Sequence, residues 1–244
     1  MRQIFTAHPY ISPKEPEAIA RWIRAHGTRR EVARGEVLKY GGEGNRLFLV
    51  ESGLCAYYVA EHTGDATIMS LLPPGRTIGD MTATAHAQCN VLSKALLPSV
   101  VYVCSPVEYR TMLLEHPDVM ALKLSHAILK EESTLEGMVA NCTRSPEERL
   151  KILFQVMLLD AGKEDEKQTA DAESWHLLPY RLSAEVIGEV IHLKRPTVAL
   201  LESRFVREGL LKKTGRDRWV KRALFAGIYD WLDRGSNVAP PSWH

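Results

Sequence analysis

The chain has 244 residues, 45% of them hydrophobic and 25% charged, with a formal net charge of +1. That composition suits a globular protein of one large or two modest domains, and no run approaches the roughly 18 apolar residues of a membrane span. Four scattered cysteines, Cys55, Cys89, Cys104 and Cys142, with no CxxC, exclude a zinc ribbon, an iron–sulfur framework and a disulfide scaffold.

The opening "MRQIFTAHPYISPKEPEAIA" lacks the apolar core and small-residue cleavage site of a secretory leader, so the expected compartment is the cytoplasm. From Thr28 to Ser105 the pattern is of short strands: "EVLKY", "RLFLVESG", "LCAYYVAE", "ATIMSLL" and "SVVYVCS" are rich in β-branched and aromatic residues. Turn signals separate them, at Gly35, "GGEGN", Gly53, "HTGDA" and "PPGR". This spacing predicts a β-sandwich or small barrel.

At Ser105-Pro106 the pattern changes to helices, since Pro is tolerated at a first helical position, where its missing N–H has no partner to lose. From Asp118 to about Arg144 apolar residues recur at alternating spacings of three and four. Leu124, Ile128, Leu135, Met138 and Cys142 share one seam, with Glu131 as the charged member. A repeat of that kind predicts a coiled-coil contact between two chains. A second Ser-Pro start at Ser145 opens "SPEERLKILFQVMLLDAGK", with Glu147 and Glu148 where the helix dipole favours anions. The acidic "KEDEKQTADAESWH" is read as a loop and "RGSNVAPPSWH" as a frayed tail.

Arg181 to Arg222 holds eleven Lys plus Arg against five Asp plus Glu, a local net of +6 in a nearly neutral chain. Ser183 is the candidate N-cap of a short helix over Ala184–Ile191. His192-Leu193 is a turn, Lys194 opens a second helix to about Glu208, and Gly209 ends it. "LLKKTGRDRWVKR" follows as a hairpin around Thr214-Gly215. Helix, turn, helix and hairpin is the order of a winged helix-turn-helix, whose second helix touches base edges with its first residues. Arg195 can donate to guanine O6 and N7 together. Lys194 and Thr197 suit phosphates, as do Lys212, Lys213, Arg216 and Arg218 of the hairpin.

With these residues in hand, the chain resembles the Crp–Fnr superfamily of bacterial transcription regulators from about Arg30 to Arg222. The resemblance rests on Gly35, Gly42-Glu43, Gly53, Gly64, Gly75 and "IGDM", on the helix after Pro117, and on "IGEVIHLKRPTVALLE" with its Gly188, Arg195, Thr197 and Val198. It implies an α+β fold. Residues 1–116 would form a cupin-like β-roll sensing domain with flanking helices, 117–144 the dimerisation helix, and 145–244 the winged helix-turn-helix. Homodimerisation, a palindromic duplex operator and contact with RNA polymerase are also implied.

In members of that family that bind cyclic AMP, a Gly-Glu-Leu, an Arg-Ser pair and polar residues of the long helix hold the nucleotide. Here those positions are Gly79-Asp80-Met81, Cys89-Asn90, and Thr134 beside Leu135. A buried phosphate without its arginine is costly, so the expected effector is not cyclic AMP. Arg76 and Lys94 complete the candidate pocket, where either can pair with a small carboxylate or phenolate. His86 and Cys89 leave haem ligation open, although the matching ligand positions near "IGDM" hold Gly79 and Met81; no other metal site is expected. Cys89 and Cys142 are the thiols placed for redox sensing.

The reading helix departs from the cyclic-AMP receptor pattern at Pro196 and Leu200, so a different half-site is expected, with Leu200 offering only apolar contact. The alternative is a ligand- or haem-binding sensor whose basic domain reads no sequence. No nucleophile–base constellation supports an enzyme.

Overall fold

A computed structural model describes residues 5, 7–40, 46–60, 66–85, 91–162 and 174–228. The expectations on Gly42, Gly64, His86, Cys89 and Asn90 fall outside the described residues, as do most of the acidic loop and all of the tail.

Two four-stranded antiparallel sheets make the N-terminal half. One has the order β1 (Thr28–Val32), β8 (Ser99–Cys104), β3 (Leu47–Ser52), β6 (Thr77–Ile78). The other has the order β2 (Val37–Lys39), β7 (Leu92–Ala95), β4 (Cys55–Ala60), β5 (Ala66–Leu72). Between them lies a core that includes Val32, Leu38, Phe48, Val50, Cys55, Leu72, Ile78 and Val101.

β3 is apolar without alternation from Leu47 to Val50 because both of its faces are covered. Phe48 and Val50 point into the roll, while Leu47 and Leu49 point at Ile19 and Ile23 of α1 (Glu17–His26) and at Tyr109 and Leu113 of α3 (Pro106–Glu115). α3 starts where Ser105 accepts a hydrogen bond from the Glu108 N–H. Cys55 and Cys104 are buried free thiols, each pushed up to about 11 by burial.

α4 (Pro117–Thr143) is followed by α5 (Pro146–Asp160), which opens with a reciprocal cap between Ser145 and Glu148. α6 (Ala184–Ile191), α7 (Arg195–Arg207) and a three-stranded sheet of order β10 (Leu211–Thr214), β11 (Asp217–Lys221), β9 (Trp175–Leu177) complete the fold. β9 is a third wing strand that the hairpin pattern did not reveal.

Part of the core crosses the domain boundaries expected from the sequence. α6 packs against β5. One apolar cluster runs from Tyr58, Ile68 and Leu71 of the roll through Ala140 of α4 and most of α5 to Val198, Phe205 and Val220. The alternation of β4 explains this: Cys55 points into the roll, and Ala56 and Tyr58 point at the C-terminal half.

Candidate nucleic-acid interface and roll–helix cleft

α6 and α7 meet in a turn that the sequence dictates residue by residue. Ser183 caps α6 by accepting from the Val186 N–H at 3.2 Å. His192 takes φ 52°, and the Leu193 N–H returns to the Gly188 carbonyl at 2.9 Å. A Cβ on Gly188 would lie 2.2 Å from the Leu193 carbonyl oxygen, so only glycine permits this approach. α7 then buries Val198, Leu201, Glu202 and Phe205. Arg195, Pro196, Ala199, Leu200 and Ser203 form its exposed face, where Leu200 is 67% exposed. Lys194 is the exposed N-cap and Thr197 is half-buried.

The wing cations divide into two groups. Lys212 and Arg216 are exposed, and Lys212 Nζ sits 4.0 Å from the centre of the Trp175 ring. Arg218, expected at a phosphate, is instead turned inward and 4% exposed. Its Nε donates to Glu202 at 2.5 Å and its Nη1 to the Leu182 carbonyl at 2.5 Å. Lys213 reaches the other oxygen of Glu202. A buried carboxylate needs such partners: it holds Arg218 inside the fold and pairs with Lys213, which stays exposed. Arg181 likewise pairs with Asp217 at 2.5 Å.

α4 is apolar where it meets solvent and polar where it meets its own chain. Leu124, Ile128, Leu135 and Met138 are 64%, 51%, 38% and 49% exposed, and Glu131 and Cys142 share that open face. The opposite face buries Lys123, His126, Lys130, Ser133, Glu136, Gly137 and Ala140.

The described candidate pocket residues are engaged at separate places. Arg76 is buried and bonds the Ser12 carbonyl at 2.8 Å, the Pro74 carbonyl at 2.7 Å and Asp160 of α5. Lys94 lies over the Tyr58 ring at 4.8 Å, at the seam with Glu189 of α6, to which the Tyr58 hydroxyl points at 3.5 Å. Thr134 bonds back to the Lys130 carbonyl at 3.0 Å, and Leu135 is on the open face. Gly79, at φ 81°, is pressed against the Arg46 carbonyl, where a Cβ would come within 2.1 Å.

Asp80, the first residue of α2 (Asp80–Ala85), is at the cleft and fully engaged. Lys123 Nζ lies 2.6 Å from its Oδ2, and Lys130 Nζ lies 2.7 and 2.8 Å from its two oxygens. Lys123 also reaches Glu15 Oε1 at 2.6 Å and His126 Nδ1 at 3.3 Å. The Thr77 hydroxyl donates to the remaining oxygen of Glu15. Burial alone pushes the Asp80 carboxyl up, but the two ammonium groups outweigh it and hold it well below the usual carboxylate range. Lys123 is raised, because Asp80 and Glu15 overcome its burial. His126, lowered by burial, stays neutral: Nδ1 accepts from Lys123, and Nε2–H donates to the Pro13 carbonyl at 3.3 Å.

Glu15, Asp80 and His126 bring their ligating atoms within 4.8 Å of one another, a donor set a divalent cation accepts. The Lys123 ammonium contacts Glu15, Asp80 and His126 and supplies the positive charge there. The sequence reading named Asp80, as an effector-pocket residue, and did not name Glu15, Lys123, His126 or Lys130.

No protein-family model and no curated protein matches the chain. Solved structures do. FixK2 from Bradyrhizobium japonicum superposes with a TM-score of 0.70 at 16% identity, over 83% of this chain and 98% of that one. CLP from Xanthomonas campestris, a c-di-GMP responsive global regulator, gives 0.63 at 15% identity, over 84% and 99%. A transcriptional regulator of the CRP family from Thermus thermophilus, TTHB099, gives 0.62 at 17% identity, over 80% and 94%. The chain therefore has the fold of these regulators, an α+β fold with a β-roll and a C-terminal winged helix-turn-helix.

Proposed function

We propose that this chain is a homodimeric, sequence-specific DNA-binding regulator of transcription. The observation that carries the reading is the open face of α7. It presents Arg195 at the helix N-terminus and Leu200 one turn further on, flanked by Lys212 and Arg216 of the wing. A helix so placed reads base edges in a major groove while the wing cations rest on phosphates. Leu200 and Ala199 are suited to a thymine methyl, and Arg195 to guanine.

The inverted polarity of α4 supports pairing of two chains. Four large apolar side chains at coiled-coil spacing are left to water, whereas charged residues are buried. A second copy covering that seam would set two α7 helices on successive grooves of an inverted repeat. Among the described residues no helix is long and apolar enough to cross a membrane. Cytoplasmic residence and recruitment of RNA polymerase belong to the same reading.

The cleft supports the expectation that cyclic AMP is not the effector. Asp80 is fully buried and both of its oxygens accept from lysines, so a ribose hydroxyl would have to compete with two ammonium groups for it. Selection of duplexes from a random pool by the purified chain tests the reading. It predicts an enriched inverted repeat whose affinity falls steeply with salt; a pool that stays random overturns it.

A further inference from the structure

The segment ahead of α1 lies in the cleft between the roll and α4, bonded to both. On one side it extends the edge of the second sheet. The Leu71 N–H donates to the Tyr10 carbonyl at 2.8 Å, the Ser12 N–H to the Leu71 carbonyl at 3.0 Å, and the Glu15 N–H to the Gly75 carbonyl at 2.8 Å. Ile11 and Leu71 form a parallel bridge, so β5 has no open edge there. On the other side the Ser133 hydroxyl of α4 lies 2.7 Å from the His8 carbonyl and 3.0 Å from the Ile11 carbonyl. The Tyr10 hydroxyl donates to Asn141 at 3.0 Å, and the Tyr10 ring rests on Gly137. Tyr10 adopts φ 66° while buried, a strained conformation for a non-glycine residue that persists only where surrounding contacts impose it. The segment ends at Glu15, inside the ion cluster of Lys123, Asp80 and Lys130.

We infer that residues 7–15 take the place of a small effector, fastening α4 to the roll so that the chain binds its operator without one. The inference rests on the DNA-binding reading above. It follows from three features of the cleft. Its strongest hydrogen-bonding groups are spent on the chain itself. The charges of its ion cluster balance, Lys123 and Lys130 against Glu15 and Asp80, so an ion added there would lack a counter-charge. The same core that fixes the segment, through Tyr10 and Ile11, continues into α6 and α7, while the reading face of α7 stays open. In a ligand-gated protein the ligand supplies differential contacts between two states; here covalently attached residues supply them permanently.

The test uses the full chain, exhaustively dialysed, and the duplex that it selects. Cyclic AMP and cyclic di-GMP are the probes. Neither is expected to change the dissociation constant by more than about twofold, against the ~5- to 150-fold of an allosteric effector. The double substitution Tyr10→Phe and Ser133→Ala, which removes the hydroxyl contacts between the segment and α4 and leaves the Lys123–Glu15 pair in place, is expected to weaken operator binding by about fivefold or more while the chain still melts cooperatively. If either nucleotide tightens binding by about fivefold or more, the inference fails and the DNA-binding reading stands. If the double variant melts cooperatively and binds as the parent does, the inference also fails. If no duplex is enriched in any arm, the reading itself falls, and the inference with it.

Discussion

Lys123 of α4 and Asp80 of α2 hold Nζ and Oδ2 2.6 Å apart, with side chains 1% and 0% exposed. The contact joins the long helix to the roll through a fully desolvated ion pair, and Glu15 at 2.6 Å makes it a three-way joint. Removing one charge from such a joint leaves its partners uncompensated, which typically costs ~3–5 kcal/mol.

Lys123→Met is therefore expected to destabilise the chain by about 3–5 kcal/mol in urea unfolding, since it strands Glu15 against Asp80. Lys130 still neutralises Asp80, so the orphan is mainly Glu15. Adding Glu15→Gln to Lys123→Met should restore part of the loss. Additive costs for the two substitutions would show that the pair is not energetically coupled.

His126 sets the expected response to mild acid. Burial lowers it from its ordinary value of 6.5, Glu15 opposes, and Lys123 and Lys130 lower it further. The unfolded chain then binds more protons at this site than the folded chain, so stability falls as pH drops through 6.5 and levels off below the folded value. Asp80 acts lower on the scale: its contribution is complete above 3.8 and is lost as pH falls below that value. Glu189, raised by burial with Glu185 adding, works in the opposite sense. The readout is therefore a difference. Between about pH 7.5 and about pH 5 the parent should lose more stability than His126→Gln, which keeps a donor for Pro13. Parallel pH profiles would exclude His126 as the group responsible.

Much of this architecture is legible in local signals. Ser105-Pro106 and the Ser145 box mark helix starts, Gly188 marks the tight turn, and β3 and β8 are apolar enough to declare burial. The cleft is not legible, because its members come from three distant places: 108 residues separate Glu15 from Lys123. Lysines seven apart on α4 look like a solvated stripe, and residues 7–15 have no period at all. One signal was present. If the apolar stripe of α4 faces another chain, its polar stripe must be the face buried against its own roll. Arg218 misleads for a related reason, since its partner Glu202 lies on the preceding helix rather than nearby on the strand.

The open stripe of α4 gives the prediction about assembly. Ile128 is 51% exposed in the single chain, so Ile128→Asp should leave the fold of one chain unharmed. It should nevertheless convert a sedimenting dimer to a monomer, because two copies would bring the carboxylates together in an apolar seam. Binding to the selected inverted repeat should then weaken by roughly 100-fold or more, as two linked half-site contacts become one. A variant that still sediments as a dimer would mean that the pairing surface lies elsewhere.

The proposed DNA-binding face separates Arg216 from Arg218, which sequence alone assigns alike to phosphates, and sets both apart from Arg195. Arg195→Ala removes an exposed side chain at the start of α7; it should cost ~1–3 kcal/mol of binding and relax preference at one base pair of each half-site. Arg216→Ala, at the exposed wing turn, should weaken binding equally across sequences and reduce the salt slope by about 1. Arg218→Ala should behave differently from both. It leaves Glu202, 1% exposed, with Lys213 alone and strips the Leu182 carbonyl of its donor, so the loss should appear first in the unfolding midpoint. Binding by the folded fraction should keep the parent's salt slope. An unchanged midpoint together with a reduced slope would put Arg218 on the phosphates after all, with the Glu202 pair open in the DNA complex.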